Sequence, residues 1–178
     1  MNASLLPDLQ YKPDFVPYPS ALFEQARREL AWDTRLRLRH TASTGLAYNY
    51  SSITYPDRPM PEFLRAVADA ISATVAHPIT NCLANLYDGD ESQMGFHSDS
   101  ADGIVPQTST SILSLGGERK LTFRSKDTER RRVTVPLEHG SLLVMRASVQ
   151  ELWKHALLPE PGVAPRISLT FRHIARFP

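Results

Sequence analysis

The sequence predicts an α+β chain in which helices come first and an antiparallel barrel or jelly roll follows. Three observations predict it. Two helical patterns precede Asn81, short alternating apolar runs dominate after it, and Gly89, Gly116–Gly117 and Gly140 punctuate those runs. At 178 residues the chain reads as one domain, residues 1–178, long enough to bury a proper core.

Each element has its own signal. Residues 1–19 are rich in proline and lack periodicity, which predicts an extended arm lying against the domain. Ser20 opens a helix with Leu22, Phe23, Ala26 and Leu30 at helical spacing. A second helix follows Pro61, a residue suited to a first helical position, and its stripe is Leu64, Val67, Ala68, Ile71 and Val75. Strands are expected at Asn81–Tyr87, Gln107–Leu115, Leu121–Arg124, Arg132–Val135, Ser141–Met145 and Arg166–Ile174, making residues 81–178 the β core. No repeat or second domain is visible.

Composition excludes several classes of protein. Hydrophobic content of 42% and charged content of 22% are ordinary for a soluble globular chain. A net charge of +1 gives no overall pull on nucleic acid, so any such role would fall to local patches. Cys82 is the only cysteine, which rules out an intrachain disulfide and fits a reducing compartment. Met1–Asp8 lacks a basic region and breaks at Pro7, unlike a signal peptide, and no apolar run reaches the roughly 18 residues of a membrane span. A cytoplasmic location is expected, with no membrane and no obligate protein partner.

The residues that carry chemistry begin with His97-Ser98-Asp99. On a strand, residues two apart share a side, so imidazole and carboxylate would converge. His155, well downstream, would complete a 2-His-1-carboxylate triad that leaves iron positions open. His139, in an apparent turn, and His173, facing away from Arg172, are weaker candidates. Taken alone, a His-x-Asp pair is more often a surface ion pair than a metal site.

Two strands supply the support it needs. In Arg166–Arg172, Ile167, Leu169 and Phe171 form one face and Arg166, Ser168, Thr170 and Arg172 the other. Solvated arginine faces are common, but two guanidinium groups along one strand also suit a ligand with a carboxylate at each end. In Asn81–Tyr87, Asn85 and Tyr87 share a face with Leu83 and offer hydrogen bonds to an anion.

In order along the chain, Asn85-Leu86-Tyr87, His97-Ser98-Asp99, a strand ending in Gly116, His139-Gly140-Ser141-Leu142-Leu143, His155 and Arg166…Thr170-Phe171-Arg172 resemble the AlkB family of dioxygenases. The resemblance covers about Gly45 to Ile174 and is similar to the subgroup that repairs alkylated bases. It implies a double-stranded β-helix (jelly-roll) core flanked by N-terminal helices, with Fe(II), 2-oxoglutarate and O2 as cofactors. It also implies that His97, Asp99 and His155 hold iron, and that Asn85, Tyr87, Arg166 and Arg172 hold 2-oxoglutarate, with Arg166 on the distal carboxylate. Ser168 stands where the family often has asparagine and keeps a hydrogen-bonding group there.

The implied reaction is oxidative demethylation of 1-methyladenine- or 3-methylcytosine-type bases, with release of formaldehyde. A base must leave its stack to reach such a site, and aromatic rings then hold it. The segment Gly45–Ser51 resembles the part of the family that supplies those rings, which points to Tyr48 and Tyr50. Some repair members carry acidic residues just after the His-x-Asp pair; here Ser100 and Ala101 stand there, leaving Asp102 to read the base. The stretch Asp33–Gly45 is short for a duplex-wedging hairpin, so methylated single-stranded DNA or RNA is the expected partner.

Two basic patches are candidates for the phosphate backbone: Arg35, Arg37, Arg39 and His40, and a hairpin with Arg119, Lys120, Arg124, Lys126 and Arg130–Arg132. The rival readings are a 2-oxoglutarate-dependent hydroxylase of a protein or small molecule, and a non-catalytic nucleic-acid-binding module.

Overall fold

A computed structural model of the chain describes residues 6–50, 53–128 and 130–176, the side chains of Asn49 and Tyr50 excepted. Two antiparallel sheets face each other, with two helices against the outside of the larger one. The larger sheet has the order β1-β10-β7-β12-β5-β2, formed by β1 (Leu9–Lys12), β10 (Leu142–Met145), β7 (Thr110–Gly116), β12 (Arg166–Arg172), β5 (Asn81–Tyr87) and β2 (His40–Gly45). The smaller runs β6-β11-β8-β9, formed by β6 (Met94–His97), β11 (Trp153–Leu157), β8 (Arg119–Ser125) and β9 (Arg132–Leu137). A hairpin of β3 (Tyr48–Tyr50) and β4 (Ile53–Tyr55) stands apart. Two facing sheets with interleaved strands are the jelly-roll arrangement.

The helices cover one face because their stripes match its apolar rows. α1 (Pro19–Glu29) buries Phe23 and Ala26, and α2 (Glu62–Val75) buries Leu64, Val67, Ala68, Ile71 and Val75. They pack on Ala84 and Leu86 of β5, Leu113 and Leu115 of β7, and Ile167, Leu169 and Phe171 of β12. Full burial of a side chain such as Leu64 or Ile71 contributes roughly 1.5–3 kcal/mol. A second cluster lies between the sheets and includes Tyr87, Leu121, Phe123, Met145, Trp153 and Leu157. Every residue of β12 is buried, since one face meets the helices and the other the smaller sheet.

Several expectations are corrected. Leu9–Lys12, assigned to an extended arm, is a strand hydrogen-bonded along the edge of β10. Pro61 caps α2 from outside, with Glu62 the first helical residue. The basic residues Arg35, Arg37 and Arg39 lie in a turn closed by the Asp33–Thr41 bridge, with Arg35 on Asp33, Arg37 on Glu91, and Arg39 on the Gln93 carbonyl. Arg119 is not part of a surface patch; it is buried and donates to the carbonyls of Ser92 and Leu158. No helix among the described residues is long and apolar enough to cross a membrane.

Candidate active site

Strand register explains how distant histidines meet. β6 and β11 are antiparallel neighbours with His97 opposite His155, and directly opposite residues project on the same face. The two imidazole centroids are 4.3 Å apart. The expected route for Asp99 is wrong, although its destination is right. β6 ends at His97, so Asp99 does not share a strand face with it. Its backbone N–H instead donates to Gln150 Oε1 at 2.9 Å, which turns the carboxylate inward.

The Asp99 carboxylate has two distinct oxygens. Oδ1 lies 3.6 Å from His97 Nε2 and 3.8 Å from His155 Nε2. Oδ2 accepts from Arg172 Nη2 at 2.8 Å and Nε at 3.3 Å, and from Gln150 Nε2 at 3.3 Å. One oxygen is thus occupied by the protein while the other faces the histidines. One ligand atom from each of His97, Asp99 and His155 lies within 4.8 Å of the others.

Protonation favours a cation there. Burial pushes the Asp99 carboxyl up, but the Arg172 guanidinium and both histidines outweigh it and hold the group far below the usual carboxylate range. Burial pulls His155 down to about 4, against the opposing pull of Asp99, so its ring is neutral at pH 7. His97 Nδ1 lies 2.8 Å from the Gly95 carbonyl; donating there leaves Nε2 with a free lone pair. A buried carboxylate beside two imidazoles, one of them held neutral by burial, is a fitting donor set for a divalent transition metal.

Beside this cluster, the inner faces of β5 and β12 line one cavity with Leu83, Asn85, Tyr87, Arg166, Ser168, Thr170 and Arg172. The solvated reading of the arginine strand therefore fails. Arg166 is 1% exposed, donates from Nη2 to Ser114 Oγ at 3.0 Å, lies 5.6 Å over the Tyr87 ring, and has no ion-pair partner among the described residues. Burial lowers its guanidinium to about 10. Arg166 Nε and Asn85 Oδ1 are buried without hydrogen-bond partners, and orphaned groups of this kind call for a polar ligand. Tyr87 is buried, with its hydroxyl 3.7 Å from Met94 Sδ.

The expected substrate residues divide. Tyr48 is 2% exposed, its ring lies 4.6 Å from the Arg172 guanidinium carbon, and its hydroxyl donates to the Ser100 carbonyl. It packs against Arg172 and is not itself among the residues lining the cavity. The side chain of Tyr50 lies outside the described residues. Asp102 is exposed in a turn, its N–H on Ser100 Oγ, and does not line the cavity, though its charge reaches the Tyr48 hydroxyl.

The rejected histidines have structural roles: His139 Nδ1 accepts from the Gly116 N–H, and His173 stacks on His77. Sequence reading missed Gln150. It lies in the six-residue α3 (Ala147–Leu152), which no periodic signal announces. Removing an outer-shell partner of a metal ligand typically weakens metal binding about 10–100-fold. Gln150→Leu is expected to lower Mn(II) affinity by about that factor in calorimetry, with the unfolding midpoint nearly unchanged.

The model of the 2OG-Fe(II) oxygenase superfamily matches residues 14–172. Alpha-ketoglutarate-dependent dioxygenase alkB homolog 3 from Bos taurus is 32% identical, over 91% of this chain and 64% of its own length. DNA oxidative demethylase ALKBH2 from Homo sapiens is 33% identical, over 73% of this chain and 53% of its own. The chain thus spans less than two thirds of these curated relatives. Among solved structures, OsALKBH1 superposes with a TM-score of 0.72 over 96% of this chain and 100% of that one, at 16% identity, a likeness of fold.

Proposed function

The chain belongs to the 2OG-Fe(II) oxygenase superfamily, and from that premise we propose that it is a dioxygenase removing N-alkyl groups from nucleic-acid bases. In this reading His97, Asp99 and His155 hold Fe(II), while Asn85, Tyr87, Arg166, Ser168 and Arg172 hold 2-oxoglutarate. Bound Fe(II), with 2-oxoglutarate and O2, supplies oxidation of the N-methyl carbon, and the product breaks down to base and formaldehyde. The observation that carries the reading is one cavity holding a three-ligand cluster and a buried arginine with no anionic partner among the described residues.

The chain's own residues do the rest. His155 stays neutral because it is buried, so no proton competes for its nitrogen. Arg172 and Gln150 fix the Asp99 rotamer by occupying Oδ2 and leaving Oδ1 to the metal. Arg166 takes the distal carboxylate, since its burial makes a carboxylate the one fitting partner. Arg172, between Asp99 and Tyr48, would meet the carboxylate of a bound co-substrate nearer the metal ligands. The β3–β4 hairpin, which carries Tyr48 and Tyr50 in the sequence, is assigned to the base.

The nucleic-acid substrate is supported by relatives named for DNA oxidative demethylation. The proposal extends to 1-methyladenine and 3-methylcytosine in single strands, to one catalytic domain spanning residues 1–178, and to a cytoplasmic setting in keeping with the buried Cys82 thiol. Formaldehyde release from methylated DNA and RNA oligomers, single-stranded and duplex, is the test. Release should require 2-oxoglutarate and be faster on single strands. Release from no methylated oligomer would overturn the substrate assignment, and equal or faster release from duplex would overturn the strand preference.

A further inference from the structure

The nucleic-acid reading, on which this inference rests, leaves one built feature beside the site unused. β2 is the outer strand of the larger sheet, and among the described residues its edge is bridged at two points only, Thr41 by Asp33 and Gly45 by Arg58. The N–H of Thr41 donates to the Asp33 carbonyl at 3.0 Å, and that of Gly45 to the Arg58 carbonyl at 2.6 Å. Alternate residues of a strand turn their backbone groups to the same edge. Ser43 lies midway, so its N–H and C=O face outward, and neither has a backbone partner among the described residues.

This gap opens on a cavity of about 280 Å³ lined by Ser43, Trp32, Arg35, Tyr55 and Arg58. One wall is locked. Arg35 Nε donates to both Asp33 oxygens, at 3.0 and 2.9 Å, and the Tyr55 hydroxyl bonds Thr41 Oγ1 and Asp33. Asp33 matches the charge of Arg35, so the exposed guanidinium of Arg58 sets the sign of the gap. The place is one strand from the active site: Ser43 pairs with Leu83 and Thr41 with Asn85, and both partners line the central cavity. Tyr55 also pairs with Tyr48, whose ring lies against Arg172.

We propose that this gap is a subsite for a nucleotide adjoining the one being demethylated, its base edge read by the Ser43 main chain and its phosphate met by Arg58. An amide donor beside a carbonyl acceptor matches the adjacent donor and acceptor on a nucleobase edge, and single-stranded bases are read in this way between aromatic and guanidinium surfaces. A peptide strand fits worse, since strand addition needs a run of open backbone groups and here the two bridges leave one residue's pair.

Thr54→Trp fills the cavity from an exposed position of β4, outside the β2–β5 ladder, and Arg58→Ala removes the charge. The substrates are short single strands with one central 1-methyladenine, carrying either normal neighbours or an abasic residue on one side. For the wild type, an abasic neighbour on one of the two sides should raise KM about tenfold, the effect of losing one base-edge contact set. In Thr54→Trp that difference should vanish, with kcat and the 2-oxoglutarate KM unchanged. Arg58→Ala should raise KM for every oligomer and flatten its salt dependence.

Fluorescence anisotropy with the unmethylated strands supplies the same comparison without turnover. If the wild type releases formaldehyde while Thr54→Trp keeps the full abasic penalty, the subsite is wrong and the demethylase reading stands. If nothing is turned over but Thr54→Trp still abolishes the abasic penalty in binding, the demethylase reading falls and the subsite stands. A wild type that neither binds nor turns over any strand overturns both.

Discussion

Asp99→Ala should abolish metal binding and cut formaldehyde release by a factor on the order of a thousand, about 4 kcal/mol of barrier. The oxygen nearest both histidine nitrogens, Oδ1, is lost with the side chain. A second effect accompanies it. Asp99 and Arg172 form a pair in which both side chains are almost fully buried, at 4% and 3% exposure. Removing one partner of such a pair strands the other charge and costs about 3–5 kcal/mol. The metal-free variant should therefore unfold at lower urea than the metal-free wild type.

Asp99→Asn separates the two effects. It keeps an acceptor for Arg172 and so retains more of the stability, yet it lacks the negative charge a cation needs. Mn(II) titration and urea unfolding of both variants provide the check. Undiminished formaldehyde release from Asp99→Ala would remove Asp99 from the metal site.

Arg166→Met should move stability and co-substrate affinity in opposite directions. The wild-type guanidinium is buried with one neutral hydrogen bond and an unpartnered Nε, and burial lowers its pKa to about 10. Without an anion this charge is a burden on the fold. A methionine of similar length would relieve it, although Ser114 Oγ loses its donor at a cost of about 1 kcal/mol. The net change in the apo protein should be neutral or stabilising, by on the order of 1 kcal/mol. The 2-oxoglutarate KM should rise about a hundredfold, since a charge-assisted contact to carboxylate is lost. Thermal midpoints without co-substrate, set beside KM, test both signs. A large loss of apo stability with KM unchanged would make Arg166 a structural residue.

How legible the site was depended on which strands carry it. β5 and β12 announce themselves because both have long alternating runs; β5 was read at its observed bounds, and β12 ends two residues earlier than expected. Their polar faces, with Asn85, Tyr87, Arg166 and Arg172, could be read by parity alone. β6 and β11 were not among the strands bounded by alternation, although His97 was read on a strand. Met94–His97 is four residues with a glycine inside, and in Trp153–Leu157 the alternation is short and broken by the buried Ala156. The histidines were found by residue type, and the pairing of His97 with His155 could not be read, because register between distant strands leaves no local trace.

Asp99 shows the same limit from the other side. Its place comes from a hydrogen bond to Gln150 in another element, not from strand geometry. The pairing of Arg35 and Arg37 and the burial of Arg119 were hidden for a related reason, since sequence shows a charge but not the Asp33, Glu91 or carbonyl group that meets it.

The place of β12 has a consequence for how the molecule is made. It lies at the middle of the larger sheet, between β5 and β7, yet it is synthesised after both. Until it emerges, a growing chain holds two strands with open edges and no shared neighbour, exposed to pairing with other chains. Its arrival closes both edges and, in the same step, delivers Arg166 and Arg172 to the cavity. The residues of the three-ligand cluster are made before it, and completion of the sheet and completion of the site are one event.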